Sequence, residues 1–208
     1  MSEPSQPRSG IIRPHGGYQN LKSYQSSEIV YDATVVFCGR FIDRRSRTHD
    51  QMVQAACSGK QNIAEGSMAS GTSSKTELKL IGVARASLEE LLLDFKDFLR
   101  QRGLHLWEKN HPQVQEIRKL AYASNRSYST YRTYIETSAP EVAANTLLCL
   151  INQTNYLLDQ QLRQLEQQFL AEGGFTERLY QARQQARRAS SRPNHAVEPT
   201  SGKKEPKA

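Results

Sequence analysis

The sequence predicts an all-α protein: an antiparallel helical bundle with an extra long helix and disordered ends. Two observations carry that prediction. Apolar side chains recur at three- and four-residue steps over most of residues 27–171, and Ser or Thr at cap spacing and Gly at stop positions separate these stretches. Alternation of the β type is nearly absent, with no pair of β-branched runs joined by a turn. A chain of 208 residues with 37% hydrophobic and 24% charged side chains suits one domain with polar ends. Its longest apolar run, Leu147 to Ile151, is far below the roughly eighteen residues that a membrane span needs. Residues 1–10 have no apolar stretch of the kind a secretory signal requires, so a cytoplasmic location without membrane contact is expected.

The first helix is expected over about Ser27–Arg45, where Val30, Ala33, Phe37 and Phe41 share a face behind Ser26 and Ser27 as caps. Thr48 and Gln51 have the spacing of a capping box and open a second helix. Its inner positions, Met52, Ala55, Ala56, Gly59, Ile63 and Gly66, are mostly small, so a neighbouring backbone can come close, within the chain or in a second copy. Ser74 and Glu77 open the strongest helix, with the seam Ile81, Ala84, Leu88, Leu91, Phe95 and Phe98. Gly103 in a left-handed conformation, with Leu104 against Leu99, would stop it as a Schellman motif. Asn110 or His111, ahead of Pro112, starts a fourth helix carrying Val114, Ile117, Ala121, Tyr128, Tyr131 and Ile135. Ser138 and Glu141 open the last long helix, with the seam Leu148, Ile151, Asn155, Leu158, Leu162, Leu165 and Phe169 and a stop at Gly173 and Gly174. A short amphipathic stretch, Phe175, Leu179, Ala182 and Ala186, leads into a basic tail. Residues 1–23 and 189–208 lack periodicity and are expected to be disordered.

The net charge of +7 is unevenly placed. Residues 23–172 hold 17 basic and 17 acidic side chains, while residues 1–22 add +2 and residues 173–208 add +5. Affinity for a polyanion should therefore come from the ends or from a local cluster. The candidate cations are Arg40, Arg44, Arg45 and Arg47 near a helix end, and Arg178, Arg183, Arg187 and Arg188 in the tail. The first four are explained equally well by the preference of cations for a helix C-terminus, worth a few tenths to about 1 kcal/mol each. Tyr122, Tyr128, Tyr131 and Tyr134 with Arg126 and Arg132 have the composition of a base-stacking surface, but Tyr128 and Tyr131 lie on the apolar seam, which favours core packing with their hydroxyls toward the surface.

Little in the sequence points to catalysis. Glu108 and His111 make a single Glu-x-x-His beside Pro112, where a turn or cap role fits better than a metal site. The run from Gly66 to Ser74 lacks the lysine and spacing of a phosphate loop and reads as an interhelical turn. Cys38, Cys57 and Cys149 are odd in number and widely spaced inside helical patterns, which points to reduced core thiols. No cofactor and no metal are expected, and no enzymatic activity.

Asn62 to Gly66 (NIAEG), Ser73 to Leu78 and Ala84 to Leu91, the latter ending in SLEEL, resemble a bacterial four-helix-bundle family. That family comprises proteins encoded in intervening sequences of large-subunit ribosomal RNA genes and the accessory variability determinant of diversity-generating retroelements. Residues 24–105 correspond to the family core, and residues 106–188, with LAEGGFTERLYQAR at 170–183, resemble a helical suffix domain that completes the bundle. The arm 1–23 and the tail 189–208 flank them. The resemblance implies a non-catalytic oligomeric scaffold or adaptor, a homo-oligomer and specifically a pentamer, acting with RNA or DNA or with a protein partner such as a reverse transcriptase. It also implies that Asn62, Glu65 and Gly66 are structural, forming a polar bridge and a close-packed helix end. The alternatives are a protein–protein assembly module without nucleic acid and a cofactor-carrying bundle enzyme, for which paired ligands are missing.

Overall fold

The structure is a computed structural model and describes residue 12 and residues 14–190. After a 3-10 turn, Tyr18–Asn20, the helices are α1 (Lys22–Phe41), α2 (Arg47–Ala69), α3 (Ser74–Gln101), α4 (Pro112–Leu120), α5 (Tyr128–Glu136), α6 (Pro140–Glu172) and α7 (Phe175–Ser190). The fold is all-α, and none of the described helices is long and apolar enough to cross a membrane.

Four of these helices enclose the core: α2 packs on α3, α3 on α6, α6 on α1 and α1 on α2. Each contact is antiparallel. Gly59 of α2 meets Leu88 of α3 while Gly66 meets Ile81. Arg85 and Glu89 of α3 reach Asp159 and Asn155 of α6 at 3.1 and 3.2 Å. Ser23 and Ser26 of α1 bond Gln161 and Thr154 of α6, each at 2.7 Å. The small residues of α2 thus face inward. A Cβ on Gly59 would lie 2.7 Å from Leu88 Cδ2, so only glycine lets α3 seat its leucine there. The predicted α3 seam, Ile81 through Phe98, is buried throughout. At one end of the core Phe37 packs edge-on against Phe95 and Phe98, with ring centroids 4.9 and 4.8 Å apart.

Several boundaries differ from the sequence reading. Helix α1 starts at Lys22, and Ser26 and Ser27 are buried inside it rather than capping it. The cause is the preceding segment: Gly16 N–H donates to the Ser67 carbonyl at 3.2 Å and Tyr18 packs on Tyr24 at 4.8 Å, so residues 14–23, expected to be disordered, lie on the bundle. The helix ends at Phe41 because Asp43 accepts the Arg45 amide at 2.9 Å, forming a turn ahead of Ser46. The caps are Ser46 and Ser73, two and one residues before the expected Thr48 and Ser74, and Ala139, one residue after the expected Ser138. The expected fourth helix is two short ones, since Ser127 and Thr130 form a capping box that starts α5 anew although the apolar rhythm continues. The Schellman stop forms as expected, with Gly103 at φ 63° and Leu104 N–H donating to the Leu99 carbonyl at 2.9 Å. The rest of the expected disorder, residues 1–11, 13 and 191–208, lies outside the described residues.

Leu88 is fully buried against Gly59, so Leu88→Asp would place a carboxylate among apolar side chains at a cost of several kcal/mol, comparable to the stability of a typical domain. The variant is expected to lose its cooperative thermal transition by circular dichroism. An unchanged melting temperature would contradict the assignment of this contact to the core.

Candidate functional site

The segment between α3 and α4 is fixed to α6 by two polar side chains. Asn145, 2% exposed, accepts the Trp107 amide at 2.9 Å and donates to the carbonyls of His105 and Glu141, both at 2.9 Å. Glu141 accepts the His105 amide at 3.2 Å and the Trp107 indole N–H at 3.1 Å. These two bonds hold its carboxyl below the usual carboxylate range. His111 stacks on Trp107 with centroids 4.4 Å apart and planes 9° off parallel, and its peptide N–H turns back to the Glu108 carbonyl at 3.0 Å. Glu108 and His111 are therefore parts of a turn, and Pro112 begins α4 directly after it.

Helix α4 buries only Val114 and Ile117 and rides on the outer side of α6. Beyond it, Arg126 is fastened by the Tyr131 hydroxyl at 2.9 Å, Ser26 Oγ at 3.1 Å and Gln153 Oε1 at 3.3 Å. Between these two attachments lies a groove of about 630 Å³ along α6. Leu106, Val114, Leu148, Cys149 and Leu157 give it an apolar floor. Trp107, Tyr122 and Tyr156 supply aromatic rings, of which Tyr122 is 91% and Tyr156 63% exposed. Five cations, Lys22, Lys96, Lys109, Arg118 and Arg126, share the lining with Asn145, Asn152 and Gln153, and no acidic side chain occurs among the described lining residues. A concave surface of one sign focuses potential, and this lining gathers five cations in a body that is neutral over residues 23–172. Burial raises the Cys149 thiol to about 11 against the opposing effect of Arg118, so the sulfur in the groove is a neutral thiol rather than a nucleophile.

The structure separates the two arginine clusters singled out in the sequence. Arg40 donates to the carbonyls of Ile135 and, at 3.1 Å, Ser138, and lies over the Phe41 ring at 4.3 Å, so it caps the end of α5. Arg44, Arg45 and Arg47 are exposed in and beside the α1–α2 turn. Arg178, Arg183, Arg187 and Arg188 belong to α7, which follows the far end of α6. Because α1 and α6 are antiparallel, the two clusters stand at opposite ends of the bundle.

Of the four tyrosines singled out in the sequence, Tyr122, Tyr128, Tyr131 and Tyr134, only Tyr122 lines the groove. Tyr131 is fully buried, and its hydroxyl meets Arg126 rather than the surface. Tyr128 donates to Glu136 at 3.0 Å, and burial followed by that carboxylate pushes its hydroxyl up to about 12. Asn62 donates to the Ser58 carbonyl of its own helix at 2.8 Å and Glu65 is exposed, so the implied polar bridge does not form, whereas Gly66 does pack closely against Ile81. All three cysteines are free, but only Cys38 is buried in the core. The described residues contain no group of three or more His, Cys, Asp or Glu placed to hold a metal.

Sequence reasoning missed the groove because its parts come from five segments: the α1 start, α3, the α3–α4 turn, α4 with its exit, and α6. The available signal was α6 itself, where Asn152 and Tyr156 break the apolar seam on one outward face. Compared with models of known protein families, with curated proteins and with solved structures, the chain matches none.

The chain has one tryptophan, so its emission reports on the attachment of the α3–α4 turn. Glu141 has a depressed folded-state pKa, so its contribution is fully present above the ordinary glutamate value near 4.3 and is lost as pH falls through the lower folded value. Trp107 emission is expected to change below about pH 4, and Glu141→Gln, which keeps a carbonyl acceptor but no charge, should abolish that acid transition. An acid transition of equal size in the variant would mean that Glu141 does not hold the turn.

Proposed function

We propose that the protein is a non-catalytic, oligomeric helical scaffold that holds single-stranded nucleic acid, alone or within a nucleoprotein that includes a protein partner such as a reverse transcriptase. The observation that carries this reading is the groove on α6, which combines five cations, three aromatic rings and amides without an acidic side chain. Single strands are bound by that combination: cations follow the phosphates, and bases stack on exposed rings for about 1–3 kcal/mol each. Tyr122 and Tyr156 are too exposed to be explained by core packing. The +5 charge of residues 173–208 adds attraction for the same ligand. The arginines of the α1–α2 turn stand at the other end and contribute less.

The likeness of residues 24–105 to the four-helix-bundle family supports a homo-oligomer, with five copies as the expected number. The inward-facing Ala55, Ala56 and Gly59 do not provide its interface, so assembly uses another surface.

Binding to a labelled single strand is expected to be sequence-tolerant and steeply dependent on salt, with log K falling by about 0.7 per decade of salt for each neutralised phosphate. Tyr156→Ala should weaken it roughly five- to a hundredfold with no change in melting temperature. A chain ending at Glu172, which lacks the eight cations of residues 173–208, should bind more weakly with a shallower salt slope. No binding at low salt by the full chain would instead favour a pure assembly module. Native mass spectrometry at micromolar concentration is expected to show five chains, and monomer alone would contradict the oligomer.

A further inference from the structure

Three aromatic rings line the groove, and they differ in how they are held. Tyr122 and Tyr156 stand well out into solvent, whereas Trp107 is half-buried and fixed from three directions. Its indole N–H donates to Glu141 at 3.1 Å, its peptide N–H donates to Asn145 at 2.9 Å, and its ring lies 4.4 Å from the His111 imidazole, 9° off parallel. The imidazole Nδ1 is shielded with no hydrogen-bond partner, so His111 holds the indole through its face. His111 is itself fixed. Its peptide N–H donates to the Glu108 carbonyl at 3.0 Å, and Pro112 after it confines its backbone to the extended region, with φ −60° and ψ 132°. Trp107 lines the groove and His111 does not; His111 lines a separate depression with His105, Glu108 and Glu141. The imidazole therefore covers the side of the indole turned away from the groove, and the carboxylates of Glu108 and Glu141 stand on that side too. Lys96 and Lys109 belong to the groove side.

We infer that Trp107, backed by His111, is the fixed base platform of the groove, and that it gives the groove a preference for strands carrying a purine at the position stacked on it. The inference rests on the proposed reading of the groove and adds one point of base selection to it. A ring that is already held loses little freedom when a base stacks on it, so stacking energy is realised more fully there than on the exposed tyrosines. A purine overlaps the indole with two fused rings and a pyrimidine with one, so the platform favours adenine or guanine without reading their edges. The preference is modest, and binding stays broadly tolerant of sequence. His111 touches no strand. It is a positioning residue, acting through the plane in which it holds Trp107.

The test titrates the full chain at low salt with oligouridylate and oligothymidylate strands of five nucleotides, and with the same strands carrying one adenine at each position in turn. Affinity is read by anisotropy of a fluorescein label, and stacking by quenching of the single tryptophan with unlabelled strands. At least one adenine-bearing strand is expected to bind about three- to tenfold more tightly than its parent and to quench Trp107 more deeply at saturation. His111→Ala should remove that preference while changing the affinity of the all-pyrimidine strands less than about twofold. His111→Phe, which restores a flat ring behind the indole, should bring the preference back. Equal affinity of the unsubstituted chain for every strand would overturn the platform, whatever the variants do, while the binding itself leaves the groove reading in place. A loss of the same size on every strand in His111→Ala would overturn the positioning role of His111. Failure of the unsubstituted chain to bind any strand would overturn both the platform and the groove reading.

Discussion

The contact between Gly59 and Leu88 is the constraint on which the remaining architecture depends. Without a side chain at Gly59, α3 lies close enough to α2 for Leu88 to fill the space a Cβ would occupy. The same two helices then close again at Gly66 and Ile81. Such a tight α2–α3 pair leaves one apolar edge on each helix, and α1 and α6 complete a four-cornered core against them. Interiors packed to crystalline density leave no room for further helices. Helices α4 and α5, with only two buried residues each, sit at the rim of that core and send Ile117, Tyr131 and Ile135 into it, and the groove is the space left where α4 rides over α6 without covering it.

Polar side chains decide where the outer helices sit. Asn145 and Glu141 bind the backbone of the α3–α4 turn, and Arg126 is held by three oxygens contributed by α1, α5 and α6. A buried asparagine that meets backbone donors and acceptors in fixed geometry defines one position for the chain, whereas apolar contact tolerates sliding. The same attachments that make the turn rigid hold Trp107 at one side of the groove and Arg126 at the other. Rigid placement of rings and cations lowers the entropy lost when a flexible strand is bound.

How much of this was legible in the sequence follows from the range of the interactions. The α3 seam, the stop at Gly103 and the long final helix depend on residues within a few positions of one another, and periodicity reads them correctly. Ser26 and Ser27 resemble caps locally, but the fold of residues 14–23 onto the bundle extends α1 past them, which is a long-range effect. The break before α5 was hidden because Tyr128, Tyr131 and Ile135 keep the apolar rhythm of the preceding segment. Arg40 shows the same limit in charge: its position in a basic cluster suggests a patch, and its actual partners are carbonyls almost a hundred residues away. The groove, assembled from five segments, left only the outward Asn152 and Tyr156 of α6 as a local trace.

The central claim is that the α6 groove, and not the charged ends alone, receives a nucleic-acid strand. Ultraviolet cross-linking of the full chain to a single-stranded 12-mer carrying 4-thiouridine, followed by mapping of the modified peptides, tests it most directly. Adducts are predicted on the peptides that contain Trp107, Tyr122 and Tyr156. Adducts confined to residues 1–13 and 191–208, with none along α6, would contradict the account.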